Sequence, residues 1–251
     1  MSLTFRQKNI LSVIIREYID SANPVGSKEL AKKYHLKLSP ATIRNEMVEL
    51  EKRGYIHQPH TSAGRVPTDL GYRYFVDELM KKRKMTEQEQ KELQIEFLKT
   101  KTRYKQLARA TSQFLAQMTN SLALSGFFDT EEFWDWGMPK LLNQPEFSNK
   151  EQIQKLTTCL EKLEENSKKI SKKIKNRKVD IYIGKKNPLI PLENCAMVVS
   201  GFKTRDNKKG FIVLIGPKRM KYAKNISLVD YITKLLSGSL LVLLFINVLT
   251  D

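Results

Sequence analysis

Asn45, in the stretch SPATIRNEM at residues 39–47, has the side chain best suited to specific chemistry. A carboxamide pairs a donor with an acceptor, which matches the edge an adenine presents in the major groove of DNA. Ser39, Thr42 and Arg44 lie beside it and offer hydroxyls and a guanidinium to phosphates or to the groove edge. A few residues on, His60, Thr61, Ser62 and Arg65 add donors suited to a sugar–phosphate backbone or a minor groove. Lys52 and Arg73 are further phosphate candidates. Glu46 and Glu49 are repelled by phosphate, so they are expected to pair with Arg53 or Arg44 instead. This is the chemistry of recognition, with no covalent step.

The elements that would hold these residues are legible. Ser39 is placed to cap a helix, and Pro40 falls at the first helical position, where its missing N–H costs nothing. Ile43, Met47 and Leu50 form one apolar face, leaving Ala41, Thr42, Asn45, Val48, Glu49 and Lys52 on the other. Gly54 ends the helix. Tyr55 to Gln58 reads as a strand, Pro59 to Gly64 as a turn, and Arg65 to Pro67 as a return strand. Upstream, Thr4 and Gln7 have capping-box spacing, and Ile10, Leu11, Ile14, Ile15 and Tyr18 give a buried face. Asn23 to Gly26 breaks this first helix, and Ser27 is expected to cap a second through Leu30, Ala31 and Tyr34. Three short helices and a wing over residues 1–67 predict a winged helix-turn-helix DNA reader. A three-helix fragment that only packs against protein is the blander alternative.

PVGSKEL at 24–30, SPATIRNEM at 39–47, LEKRGYI at 50–56 and QPHTSAGRVPTDLGYRYFVD at 58–77 resemble the heat-inducible transcription repressor family, HrcA. A second resembling block lies downstream, in LLNQPEF at 141–147, CAMVVSGF, GFIVLIGPKRMKY and KNISLVDYI at 224–232. The resemblance implies a homodimeric repressor of chaperone operons bound to double-stranded DNA at an inverted-repeat operator. It also implies that a chaperonin modulates its activity. A winged-helix regulator responding to a small molecule, or a protein–protein or RNA interaction module, is the alternative.

Composition is compatible with this and excludes other classes. The net charge of +17 over 251 residues favours a polyanionic partner, yet residues 1–80 carry 12 basic against 9 acidic side chains. Most of the excess therefore lies outside the reading head, where a solvated lysine-rich surface accounts for it equally well. Cys159 and Cys195 are too few for a disulfide framework, and no signal peptide opens the chain, so a cytoplasmic protein is expected. His35, His57 and His60 form no ligand pattern with the cysteines. No nucleophile elbow, phosphate loop or paired acid and base is present, so neither enzyme nor cofactor is expected.

Thr68 should cap a helix through Tyr72, Phe75, Val76 and Leu79 to Lys84. Residues 81–92, with KKRK and EQEQKE, read as a charged hinge between a DNA-binding domain at 1–80 and a second domain at 93–251. From Leu93 a long helix is expected, with Phe97, Tyr104, Leu107, Phe114, Leu115, Met118 and Leu122 on one stripe, ending at Ser125-Gly126. The aromatic cluster Phe127, Phe128, Phe133, Trp134 and Trp136 then reads as anchors holding a loop against a sheet. Residues 148–178 read as a helix with Ile153, Leu156, Leu160, Leu163 and Ile170 inside. Strands follow at 179–183, 195–202 and 210–215, with a last helix from Ser227. The fold class is α+β: an N-terminal winged helix-turn-helix, a long helical segment and a domain that the resemblance relates to the GAF fold. The short passage from the long helix to LLNQPEF suggests that this domain is reduced. The apolar tail, residues 235–249, is too short for the roughly 20 residues of a membrane span and is expected to be a buried strand or helix, with an oligomer seam as the alternative and no membrane contact.

Overall fold

A computed structural model describes residues 3–34, 36, 38–81, 83–98, 104–128, 133–165, 174, 178–187 and 193–238. The chain divides into two units, Met1–Lys81 with Lys218–Lys221, and Lys82–Pro217 with Tyr222–Asp251. His35, Ile170 and the tail from 239 onward lie outside the described residues, as do the side chains of Phe97, Tyr104 and Leu163.

In the first unit α1 (Phe5–Ser21) starts with a complete capping box, the Thr4 side chain accepting from the Gln7 N–H and the Gln7 side chain accepting from the Thr4 N–H. It ends at Ala22, which adopts a left-handed conformation with φ 56°. Then come α2 (Ser27–Lys33) and α3 (Pro40–Lys52). The wing is β1 (Ile56–His57) paired antiparallel with β2 (Val66–Pro67), and α4 (Asp69–Tyr74) closes the unit. Ile10, Leu11, Ile14 and Ile15 meet Leu30, Ile43, Leu50 and Ile56 in one core, all 1% exposed or less. Gly71 permits the start of α4 to approach the wing, because a Cβ there would lie 2.1 Å from the Tyr55 carbonyl oxygen. Lys218 and Lys221, from the far end of the sequence, complete the unit through ion pairs to Asp69 (2.5 Å) and Asp20 (3.7 Å).

The second unit holds α5 (Glu87–Leu98), α6 (Tyr104–Thr119), α7 (Met138–Leu142), α8 (Lys150–Glu165) and α9 (Tyr222–Leu236). Its five strands are β3 (Leu122–Phe127), β4 (Phe133–Trp136), β5 (Val179–Ile183), β6 (Cys195–Lys203) and β7 (Lys209–Pro217). They form an antiparallel sheet in the order β4-β3-β7-β6-β5. One face packs Leu122, Leu124, Met197, Val199, Phe211 and Val213 against Leu141, Phe147 and Leu156. The alternate residues, among them Ala123, Val198, Ile212 and Leu214, are equally buried on the face toward α6 and α9. This is a layered α+β arrangement, with helices on both faces of one antiparallel sheet.

Several expectations need correction. Gly26, not Ser27, occupies the cap of α2, and Ser27 is its first helical residue. The helix after Thr68 ends in a wider π turn, Phe75–Leu79, instead of running to Lys84, and Met80 is already extended. Residues 87–92, read as part of a hinge, begin α5. Of the expected long helix, the described residues show α5 to Leu98 and α6 from Tyr104, and α6 ends at Thr119, where Asn120 takes the left-handed conformation (φ 54°) that asparagine tolerates. Ser125 and Gly126 do not terminate a helix; they lie within β3, paired with Ile212 and Phe211. Phe133, Trp134 and Trp136 belong to the edge strand β4, with the Phe133 ring edge-on to Phe211 at 6.2 Å. The last helix begins at Tyr222, five residues before Ser227.

Glu17, 3% exposed, ties α1 to α2 by accepting from Lys33 Nζ (2.8 Å) and Tyr34 Oη (2.7 Å). The Lys33 hydrogen bond, then that of Tyr34, hold its carboxyl below the usual value. Burial, with Glu17 as acceptor, pushes the Tyr34 phenol up to about 12. A lowered carboxyl pKa gives stability that is complete above the unfolded value and lost as pH falls through the folded one. The difference in Tm between wild type and Glu17→Gln should therefore be full above pH 4.5 and shrink below it. A difference that persisted undiminished into acid would contradict an ionised Glu17 at this junction.

Candidate nucleic-acid interface

The surface begins with the cap of α3. The Ser39 hydroxyl accepts from the Thr42 N–H at 3.1 Å and meets the Thr42 hydroxyl at 2.9 Å, so the two form one polar corner at the helix start. Ile43, Met47 and Leu50 face inward and are at most 4% exposed. That burial fixes the helix phase and leaves Ala41, Arg44 and Asn45 exposed on the other side. Neither Arg44 nor Asn45 has a side-chain partner among the described residues.

A groove of about 710 Å³ runs between α3, the start of α2 and the wing. Its lining includes Lys28, Arg44, Asn45, Thr61, Ser62 and Arg65, and no acidic side chain among the described residues. Two of these segments, the start of α2 and the base of the wing, are joined by backbone bonds. The Val25 N–H donates to the Arg65 carbonyl and the Arg65 N–H to the Val25 carbonyl, both at 2.9 Å. Gly64 makes this approach feasible, since a Cβ there would lie 2.5 Å from the Val25 carbonyl carbon and oxygen. Within the wing turn, Gln58 Nε2 donates to the carbonyls of Thr61 (2.8 Å) and Ala63 (2.9 Å).

The candidate residues fall into groups. Arg44, Asn45, Thr61, Ser62 and Arg65 line the groove together. Ser39 and Thr42 sit at the adjoining end of α3. His60 is exposed at the wing tip, with Nδ1 3.3 Å from the Ser62 hydroxyl. Lys52 and Arg73 lie outside the groove lining and are engaged on their own helices, Lys52 with Glu49 (2.8 Å) and Arg73 with Asp77 through two hydrogen bonds. Arg65 lines the groove, but its guanidinium is already bonded to Glu51 at 2.9 Å.

The acidic residues of α3 pair differently from the expectation. Glu46 accepts from Gln7 Nε2 (3.2 Å) and Arg6 Nη1 (3.4 Å), fastening α3 to α1. Glu49 takes Lys52, whose hydrogen bond holds its carboxyl below the usual value. Sequence reasoning passed over Lys28 and Gln58. Lys28 lies in the first turn of α2, where a cation is disfavoured by the helix dipole, and that oddity is the signal that could have found it. Gln58 carries no such signal, because its role depends on the three-dimensional closure of the wing.

Comparison with known proteins agrees with this geometry. The HrcA DNA-binding winged helix-turn-helix model matches residues 2–80, and the HrcA C-terminal domain model matches residues 71–226. The heat-inducible transcription repressor HrcA of Carboxydothermus hydrogenoformans is 31% identical over 92% of this chain and 96% of its own length. That alignment spans 331 positions, more than the 251 residues of the chain, so part of the relative has no counterpart here. The HrcA of Chlorobium phaeovibrioides is 53% identical over 95 residues, which are 38% of this chain and 27% of that protein. A crystal structure described only as that of a hypothetical protein shares the fold, with a TM-score of 0.77 at 21% identity over 94% of this chain and 98% of that one.

The close approach at Gly64 can be tested. Gly64→Ala should destabilise the protein by about 1–3 kcal/mol, the usual range for inserting a methyl group into a filled contact. It should also release the Val25 and Arg65 amides to hydrogen exchange. Wild-type stability and exchange in this variant would mean that the wing does not rest on Val25 in solution.

Proposed function

The chain belongs to the HrcA family of heat-inducible transcription repressors, and we propose that it represses chaperone operons as a homodimer on an inverted-repeat operator. Each protomer would set α3 into a major groove, with the two grooves one helical turn apart on the same side of the duplex. The observation that carries this reading is the pair Arg44 and Asn45, exposed, unpartnered among the described residues and lining a groove without an acidic side chain. Asn45 reads a base edge, with adenine the best match to its paired donor and acceptor. Arg44, Thr42 and Ser39 contact phosphates or the groove edge, while His60, Thr61 and Ser62 hold the backbone or the minor groove. Lys52 and Arg73 contribute weaker phosphate contacts, since each must first loosen its present ion pair. The reading includes chaperonin as a modulator that keeps the repressor active, in a cytoplasmic setting. Among the described residues no helix is long and apolar enough to cross a membrane.

Fluorescence anisotropy of the full chain against a labelled inverted-repeat duplex and a scrambled one tests the proposal. Asn45→Ala should weaken operator binding by roughly 1–3 kcal/mol and leave scrambled binding nearly unchanged. Equal losses on both duplexes would remove the base-reading role from Asn45. Adding chaperonin should raise the fraction of protein that binds the operator, and no rise would remove the chaperonin from the mechanism.

A further inference from the structure

Glu51 stands next to the groove without lining it. A carboxylate beside a phosphate-binding surface repels the ligand, so its position calls for a role that outweighs this cost. The geometry supplies one. Glu51 Oε1 accepts from the Gln58 N–H at 2.8 Å, and Oε2 pairs with Arg65 Nη2 at 2.9 Å. Gln58 directly follows β1 and Arg65 directly precedes β2, so one side chain of α3 grips both strands of the wing where the turn begins and ends. Gln58 continues the grip through the hydrogen bonds its Nε2 donates to the carbonyls of Thr61 and Ala63. The Arg65 side chain is only 16% exposed, and its Nε is buried without a hydrogen-bond partner. Bidentate recognition of a phosphate requires an open guanidinium fork, and this one is mostly buried, with Nη2 already held by Glu51.

We propose that Glu51 and Gln58 are positioning residues that fix the wing relative to α3, and that Arg65 is a strut of this clamp and makes no phosphate contact. The inference rests on the DNA-binding reading above and specifies how its two contact elements keep their spacing. Thr61 and Ser62 are thereby ordered before the duplex arrives, so the entropy of ordering them is not lost on binding.

The clamp and simple electrostatics predict opposite signs. Removing a carboxylate near DNA should, by charge alone, tighten every duplex; removing a clamp should selectively weaken the operator. The full chain and its Glu51→Ala, Glu51→Gln and Arg65→Ala variants would be titrated across salt with inverted-repeat and scrambled duplexes. Glu51→Ala should lower the ratio of operator to scrambled affinity about tenfold, with scrambled binding unchanged or tighter. Glu51→Gln, which keeps an acceptor for the Gln58 amide, should recover part of that ratio. Arg65→Ala should lower the ratio without changing the salt slope. A slope flattened by about 0.9 in Arg65→Ala would assign Arg65 to a phosphate and overturn the proposal. An unchanged ratio in Glu51→Ala would overturn it as well. Hydrogen exchange of the free protein separates the clamp from the DNA reading. The Gln58 amide should be protected in wild type and exposed in Glu51→Ala, and an unprotected wild-type amide would overturn the clamp whatever the DNA shows. Wild type that failed to distinguish the two duplexes, with Gln58 protected, would instead overturn the operator reading alone.

Discussion

Two backbone hydrogen bonds between Val25 and Arg65 hold together the groove beside α3. They form an isolated antiparallel bridge outside the wing's own strand pairing, and they bring the start of α2 against the base of the wing. The groove beside α3 exists because these segments meet there. Its side chains can be varied in kind, but its shape follows from a backbone contact that only a residue without a Cβ at position 64 permits. Around this contact the polar side chains divide the work. Those buried or half-buried, Glu17, Glu46 and Glu51, fasten helix to helix or helix to wing. Arg44 and Asn45 remain exposed in the groove. Glu17, Glu46 and Glu51 thus have partners within the unit that fasten its elements to one another.

The second unit solves a different problem, that of building a two-sided sheet from little chain. β6 and β7 are buried along nearly their whole length on both faces, so their sequences are apolar runs without alternation. Where the space is tightest, small residues take over. A Cβ at Gly210 would lie 2.3 Å from the Phe202 ring and 2.7 Å from the Gly126 carbonyl oxygen. The face toward α6 and α9 buries the hydroxyls of Ser125 and Ser200 on either side of Ile212, across one row of the sheet. The short passage between α6 and the LLNQPEF segment still accommodates β3, β4 and the start of α7, so two of the sheet's five strands come from it.

Much of the first unit was legible because its signals are local. A cap followed by proline, an apolar face at helical spacing and a glycine at the helix end each act within a few residues, and α3 matches them closely. The second unit was read less well where local signals compete. Leu122 continues the apolar stripe of α6, so the chain as far as Ser125-Gly126 reads as helix, whereas Asn120, in a left-handed conformation, ends the helix and β3 begins at Leu122. Strand pairing with β7 decides the outcome, and pairing over that sequence distance has no local signature. The same limit applied at the interface. The exposed residues of α3 followed from helix phase, whereas the partners of Arg65 and Glu46 came from other elements and could not be read along the chain.

The return of Lys218–Lys221 to the first unit has a consequence for the order in which the protein matures. On the ribosome the winged helix emerges first, yet the lysines that pair with Asp69 and Asp20 are made only after the whole sheet has been synthesised. The N-terminal unit therefore gains its last supports near the end of translation, not at its beginning. A nascent chain arrested before residue 218 would present the N-terminal unit without these two ion pairs.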